Sequence, residues 1–201
     1  MDATTVEREI KLRFSSADEA RNAVLACGAT PLHGRRLQED VLLDTDDESL
    51  RRRRCVLRVR MENGKSRLTF KGPVQPGLMK VREELETVVG DGSLLLRVLG
   101  EIGLHEWFRY QKYREEFAHG DVIVAIDETP VGTFIEIEGS ESGINEMART
   151  LGPAESDYIQ DSYRGLFLQH RQAFGITGAD MVFPDLVASG MVSPGMAPHE
   201  G

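Results

Sequence analysis

The sequence predicts an α+β fold, a closed eight-stranded antiparallel β-barrel with helices packed on its outside. Three features of the chain point there. Its element order reads strand, helix, strands, and then strand, helix, strands again. Charged side chains recur at one parity in strand after strand, with hardly a Ser, Thr or Gln among them. The opposite parity is largely apolar, and helices are available to cover it.

Residues 6–14 alternate cleanly, with Val6, Arg8, Ile10, Leu12 and Phe14 on one parity and Glu7, Glu9, Lys11 and Arg13 on the other. That is the period of a strand with one mostly apolar face and one fully charged face. Ser15, Ser16 and Glu19 then form a capping-box signature, and Ala20, Ala23, Val24 and Cys27 follow at helical spacing as far as Gly28. Four strands are expected next, over 36–44, 56–61, 67–71 and 79–88, separated by turns such as Glu62-Asn63-Gly64. A helix over 93–102 leads to strands over 108–117, 122–128 and 133–138, joined at His119-Gly120-Asp121 and Pro130-Val131-Gly132. Ser142 reads as the cap of a helix ending near Leu151, and 157–174 as a longer helix with Ile159, Tyr163, Leu166, Phe167 and His170 on one face. The two halves share little identity beyond a Glu-x-Glu in the opening strand of each, Glu7/Glu9 and Glu84/Glu86. One domain over 1–175 is expected, followed by a loosely ordered tail over 176–201 that lacks periodicity.

The 201 residues, 40% of them hydrophobic, suffice for one ordinary domain with a sizeable core. With 24 Lys and Arg against 33 Asp and Glu, the formal net charge is −9, which disfavours wrapping of nucleic acid; any bound anion must meet a local concentration of positive charge. No apolar run approaches the roughly 20 residues of a membrane span, and the acidic N-terminus lacks a signal-peptide pattern. A cytoplasmic protein without a membrane or nucleic-acid partner, monomeric or homodimeric, is the expectation. Cys27 and Cys55 form no CxxC pair and the histidines have no ligand spacing, so no zinc site is expected. Arg51-Arg52-Arg53-Arg54 reads as a solvated run among Asp44, Asp46, Asp47 and Glu48, and Trp107, Phe108 and Tyr110 as barrel-end packing rather than a base-stacking platform.

Side chains two apart on a strand point the same way, so each charged pair can be assigned to a face. The rows are Glu7, Glu9 and Lys11; Arg58 and Arg60; Arg67 and Lys71; Arg82, Glu84 and Glu86; Lys112 and Arg114; Asp127; and Glu136 with Glu138. Their apolar partners, among them Leu57, Val59, Leu68, Phe70, Val81, Leu85, Ile126, Ile135 and Ile137, are what helices would cover. A wet outer face explains any one strand; the repetition favours a charged lumen. Carboxylates gathered there suit a hard divalent cation, and Lys and Arg suit phosphate, so the two together form the apparatus of phosphoryl transfer.

Glu7-Arg8-Glu9-Ile10-Lys11 fits the ExExK signature of the CYTH superfamily, the triphosphate tunnel metalloenzymes, which the chain resembles over about residues 6–170. Further segments match in order: Gln38 to Thr45, Leu57-Arg58-Val59-Arg60, Leu68 to Pro73, Val81 to Glu86, Lys112-Tyr113-Arg114, Ala125 to Glu128, Phe134 to Gly139 and Asp161-Ser162-Tyr163. The resemblance implies metal-binding carboxylates at Glu7, Glu9, Glu136 and Glu138, supported by Asp127 and Glu84, for Mg²⁺ or Mn²⁺. It implies phosphate-binding bases at Lys11, Arg58, Arg60, Lys71, Lys112 and Arg114, with Arg82 and Glu86 on the same wall, and a catalytic set of Lys112, Glu84 and Glu9. The implied activity is metal-dependent hydrolysis of a small-molecule triphosphate: inorganic tripolyphosphate, thiamine triphosphate or a nucleoside triphosphate. The alternatives are a class IV adenylyl cyclase making cyclic AMP and pyrophosphate from ATP, and a non-catalytic polyphosphate or nucleotide sensor; the complete set of acids speaks against the sensor. One departure is that no lysine follows Lys112, which leaves Arg164 or Arg171 in place of the basic residue that some members carry on the C-terminal helix.

Overall fold

Eight strands close into a cylinder in the computed structural model, which describes residues 5–184. The elements are β1 (Thr5–Phe14), α1 (Ala17–Ala26), β2 (Thr30–Asp44), α2 (Ser49–Arg52), β3 (Val56–Glu62), β4 (Lys65–Lys71), β5 (Lys80–Val89), α3 (Gly92–Glu101), β6 (His105–His119), β7 (Val122–Thr129), β8 (Gly132–Gly139), α4 (Glu141–Leu151) and α5 (Tyr163–His170). Around the barrel the order is β1-β5-β4-β3-β2-β6-β7-β8, back to β1, with every neighbour antiparallel. The expected fold class is the observed one.

β1 is the closing seam. It pairs with β5 from Thr5 to Glu9 and with β8 from Glu9 to Phe14, so Glu9 stands opposite both Lys80 and Glu138. The Asn63-Gly64 turn joins β3 to β4 with positive φ at both residues (49° and 72°), the backbone for which Asn-Gly is favoured in tight hairpins.

Helix starts follow local chemistry. Ser16 Oγ accepts the Glu19 N–H at 3.2 Å while the Glu19 carboxylate accepts the Ser15 N–H at 3.1 Å, and Asp91 accepts the Leu94 N–H at 2.9 Å. Ser140, two residues before the expected Ser142, caps α4 by accepting the Gly143 N–H at 3.0 Å. The helix expected over 157–174 forms only as α5. Residues before it serve β1 instead: the Ile159 N–H donates to the Lys11 carbonyl at 2.8 Å, the Lys11 ammonium donates to the Asp161 carbonyl at 3.0 Å, and Ser162 caps α5 from extended backbone. β2 begins at Thr30 rather than 36, because its irregular pairing with β6 around Pro31, His33 and Arg36 breaks the alternation that would reveal it.

The apolar parity faces outward. α1 and α4 lie over β1, β7 and β8 and bury Ala20, Val24, Ile144 and Met147 against Ile10, Leu12, Val124, Ile126, Ile135 and Ile137. α3 lies over β3, β4 and β6, covering Val41, Leu43 and Val59. This distribution leaves β5 bare, so the covered position expected for Leu85 is not realised: it is 47% exposed. α5 differs: Leu166 and Phe167 pack on Leu42, Phe108 and Phe134, which share the inward parity of Asp40, Lys112 and Glu136, so this helix sits at one end of the barrel interior. No helix among the described residues is long and apolar enough to cross a membrane.

The tail departs from the loose order expected after Gly175 in its first part. Met181 is fully buried beside Tyr110, donates its N–H to the Arg109 carbonyl at 3.0 Å and accepts the Gln111 N–H at 2.8 Å. The Phe183 N–H donates to Gln111 Oε1 at 3.0 Å. The Asp180 carboxylate also accepts the Arg109 N–H at 2.8 Å, so one buried apolar side chain and four hydrogen bonds to β6 pin the segment without any periodicity to announce it; residues 185–201 lie outside the described residues. Met181→Ala is therefore expected to cost about 2–5 kcal/mol in equilibrium denaturation, and a loss below about 0.5 kcal/mol would show that this segment does not share the core.

Candidate active site

A cavity of about 1000 Å³ runs through the barrel. Glu7, Glu9, Lys11, Arg58, Arg60, Lys71, Arg82, Glu84, Glu86, Lys112, Arg114, Glu136 and Glu138 all line it, as expected from their parity. Asp127 does not line it.

Acids and bases occupy different walls. β1, β5 and β8 bring Glu7, Glu9, Glu84 and Glu138 to one side; β3 and β6 bring Arg58, Arg60, Lys112 and Arg114 to the other, with Lys71 on β4 between them. Glu7 accepts from Lys71 and from Arg82, each at 2.6 Å, and Glu9 accepts from Lys80 at 2.6 Å. Lys71 also lies 3.0 Å from Glu84. Glu136 is flanked by Lys11 at 3.3 Å, by Lys112 at 3.9 Å and, closer still, by Arg114. Burial would raise the Glu7 carboxyl, but the Lys71 and Arg82 charges hold it far below its ordinary value.

Behind the basic wall sit two carboxylates of another kind. Asp40, fully buried, accepts from Arg60 Nε at 2.8 Å and Nη2 at 3.2 Å and lies 3.4 Å from Arg58 Nε. Burial alone would raise its pKa; Arg60 and Arg58 hold it below the usual value. Asp127, expected among the metal ligands, is placed here instead. It accepts from Lys112 at 2.8 Å, from Arg114 at 2.7 and 2.6 Å, and from the Tyr163 hydroxyl at 2.6 Å, so its oxygens are taken up by donors. Both acids fix long cationic side chains whose free ends would otherwise be mobile, and removing one partner of such a buried pair costs about 3–5 kcal/mol.

The cations keep unused donors. Arg58 Nε is buried without a hydrogen-bond acceptor, its Asp40 neighbour lying off line, while Nη2 donates to Thr69 at 3.2 Å. Burial, and next the Arg114 charge, lower the Lys112 ammonium to about 8, against the pull of Asp127 and Glu136.

Glu138 completes the acidic wall. It touches solvent through the lumen, yet enclosure by the wall and then the Glu7 carboxylate, with Glu9 and Glu84 contributing, push its pKa up to about 7. Among the described residues Glu138 has no ion-pair partner, and it stands directly across the β1/β8 ladder from Glu9, a like-charge position that a sheet does not favour by itself. Hard oxygen donors in excess over local cations are the donor set of a divalent metal. Among the described residues no three potential ligands converge at ligating distance as they stand, because Glu7 and Glu9 are turned to Lys71, Lys80 and Arg82. The chemistry of the set fits Mg²⁺ or Mn²⁺, with ammonium and guanidinium groups in the place of the counter-ion.

Several contributors escaped the sequence reading. Asp40 shares the inward parity of Gln38 and Asp44, and Lys80 shares that of Arg82; both signals are present in the sequence. Tyr163, read only as part of a helix face, has Lys11 and Lys112 ammonium groups 4.2 and 4.8 Å from its ring centroid as well as its bond to Asp127.

A closed barrel with opposed acidic and basic walls defines a class of anion-binding tunnel proteins. The CYTH domain family matches residues 5–163, and the chain belongs to that family. It is 29% identical over 147 residues to a Methanocaldococcus jannaschii protein named "Putative adenylate cyclase", covering 73% of this chain and 83% of that one. Among solved structures, a protein from Pyrococcus horikoshii OT3 shares 26% identity at a TM-score of 0.67, over 78% of this chain and 96% of that one. A Hippeastrum protein, described as a "putative adenylyl cyclase" with a dominant triphosphatase activity, has the same fold at 20% identity and a TM-score of 0.64, over 81% and 95% of the two chains.

Asp40→Asn should lower stability by about 3–5 kcal/mol, because two buried guanidiniums lose their counter-charge, and added tripolyphosphate should restore part of the loss by supplying a replacement. Thermal melts with and without tripolyphosphate read both effects; an unchanged melting temperature would remove Asp40 from this role.

Proposed function

We propose that the chain is a divalent-metal-dependent triphosphatase that holds a linear triphosphate in the barrel lumen and releases orthophosphate. The observation that carries this reading is the facing pair of walls: buried cations with unused donors on one side, and a carboxylate excess centred on Glu138 on the other. Family membership supports it.

Arg58, Arg60 and Arg114 bind the non-bridging oxygens through charge-assisted bonds, with Lys11 and Lys71 at the flanks, so the chain of phosphates is fixed before reaction. Glu7, Glu9 and Glu138, with Glu136 beside them, would hold a divalent cation, which supplies Lewis acidity and neutralises charge on the phosphates. With its pKa near 8, the neutral fraction of Lys112 takes the proton of the attacking water and becomes the ammonium as the water oxygen bonds the terminal phosphorus and the bridging P–O bond breaks, giving orthophosphate and, from tripolyphosphate, pyrophosphate. Asp127 and Tyr163 hold Lys112 in place.

The adenylyl cyclase reading is favoured by the name of the archaeal relative. Cyclisation needs a pocket that orients a nucleoside against the α-phosphorus. The ring at the tunnel mouth, Trp107, is already engaged by the Arg51 and Arg164 guanidiniums, and the remaining lumen residues address phosphate and cation. Incubation with tripolyphosphate, thiamine triphosphate and ATP, each with Mg²⁺ or Mn²⁺, should yield orthophosphate; cyclic AMP and pyrophosphate from ATP, with no orthophosphate from tripolyphosphate, would establish the cyclase instead.

Glu9→Gln, which removes charge at nearly constant volume, should abolish turnover while the melting curve stays cooperative, and EDTA should do the same to the unaltered protein; undiminished activity in either case would exclude the metal role. Lys112→Ala should lower kcat by about 100-fold or more, the range of a proton-transfer group, and an unchanged kcat would take Lys112 out of the reaction.

A further inference from the structure

The Arg51-Arg52-Arg53-Arg54 run, read from the sequence as solvated, is partly drawn into the barrel mouth. The buried Asp44 carboxylate seats it, accepting the N–H groups of Thr45 and Leu50 at 2.9 Å, that of Arg51 at 3.0 Å, and the Arg51 guanidinium at 3.1 Å. Arg51 and Arg54 then line the same cavity as Arg58 and Arg60, at the end where Ser162, Tyr163 and Arg164 also line it. Arg51 and Arg164 place their guanidiniums 4.4 and 4.9 Å from the centroid of one ring, Trp107.

Like charges do not gather without a reason. Burial and then Arg51 push Arg164 below its ordinary pKa. Among the described residues neither Arg54 nor Arg164 has a carboxylate within 4.0 Å, in a protein with nine more acidic than basic side chains. Arg52, by contrast, pairs with Asp47. Arg164, unpaired and held against the Trp107 ring, and Arg54, unpaired on the same cavity wall, present planar forks to an outside anion, and phosphate matches that geometry. The cavity of about 1000 Å³ lies at the upper end of the roughly 300–1000 Å³ usual for small-molecule sites, which leaves room beyond three phosphates.

We infer that this mouth is a second anion subsite, which takes the phosphates of a linear polyphosphate beyond the three held by the lumen cations. The inference deepens the triphosphatase reading and rests on it. Arg54, Arg164 and Trp107 form the subsite, with Arg51 anchoring one side, and the chain leaves the lumen past α5.

Trp107 is the only tryptophan, so its fluorescence reports on the mouth directly. The protein is titrated in EDTA, which prevents turnover, with inorganic tripolyphosphate, with ATP and with a linear polyphosphate several times longer, following heat and Trp107 emission. The longer chain should bind more tightly and alter the emission more than tripolyphosphate does. A longer chain also offers more triphosphate registers, so the decisive comparison is between proteins. The double variant Arg54→Gln/Arg164→Gln should weaken the longer chain about five- to tenfold, as expected for two phosphate contacts, while tripolyphosphate affinity stays within about twofold. Equal loss for both ligands, or none for either, would overturn the subsite and leave the tunnel reading intact. Loss confined to ATP would also overturn it, by assigning the mouth to a nucleotide. Failure of every phosphate to bind would overturn the tunnel reading and the subsite together.

Discussion

Charge compensation inside a closed cylinder is the constraint on which the structure depends. Apart from the irregular start of β2, the strands alternate, the barrel has no free edge, and the charged parity faces inward. Removing an ion from water is expensive, so every interior charge needs a partner or a route to neutrality. The protein meets this with two sorts of carboxylate. Asp40 and Asp127 lie behind the basic wall, saturated with donors, and fix Arg58, Arg60, Lys112 and Arg114. Glu7, Glu9 and Glu138 line the lumen, where Lys71, Lys80 and Arg82 are the ion-pair partners of the first two and Glu138 has none among the described residues.

The difference bears on function. A cation held from behind by a buried acid keeps its remaining donors aimed into the cavity at little entropic cost when an anion arrives. An acid whose partner is a flexible lysine can release it to a harder ion. Both properties follow from register: β1 changes partner at Glu9, so the two glutamates of ExExK meet β5 bases while Glu9 also meets Glu138 on β8. Shifting β1 by one residue would put Ile10 and Leu12 in the lumen and Glu9 under α1 and α4.

Much of this was legible because a period of two is hard to mistake. Parity alone placed Glu7, Glu9, Lys11, Arg58, Arg60 and Glu136 on the lumen wall, and the Asn63-Gly64 turn and the Ser16 cap were visible as dipeptide and capping-box signals. What parity does not encode is depth. Asp127 shares the inward parity, yet its neighbours Arg114 and Lys112 reach across and cover it, so it became a brace rather than a ligand candidate. Asp40 carries a parity signal, standing between Gln38 and Asp44 on the polar face of β2. The docking of Met181 had no local signal, since a single buried methionine is a tertiary fact, and the short α2 rests on the nearby Asp44 carboxylate rather than on a helical period. The early end of the C-terminal helical pattern is of the same kind: the Lys11 carbonyl and ammonium compete for residues that helical periodicity alone would keep.

The central claim, that metal and phosphate share the lumen on opposite walls, is tested most directly by crystals grown with Mn²⁺ and a non-hydrolysable triphosphate analogue, examined at the manganese absorption edge. The account predicts an anomalous peak among Glu7, Glu9 and Glu138, with Lys71 or Lys80 displaced from its glutamate and the phosphates lying along Arg58, Arg60 and Lys112. Manganese confined to the outer surface, with the Lys71–Glu7 and Lys80–Glu9 pairs intact and no phosphate in the lumen, would contradict it.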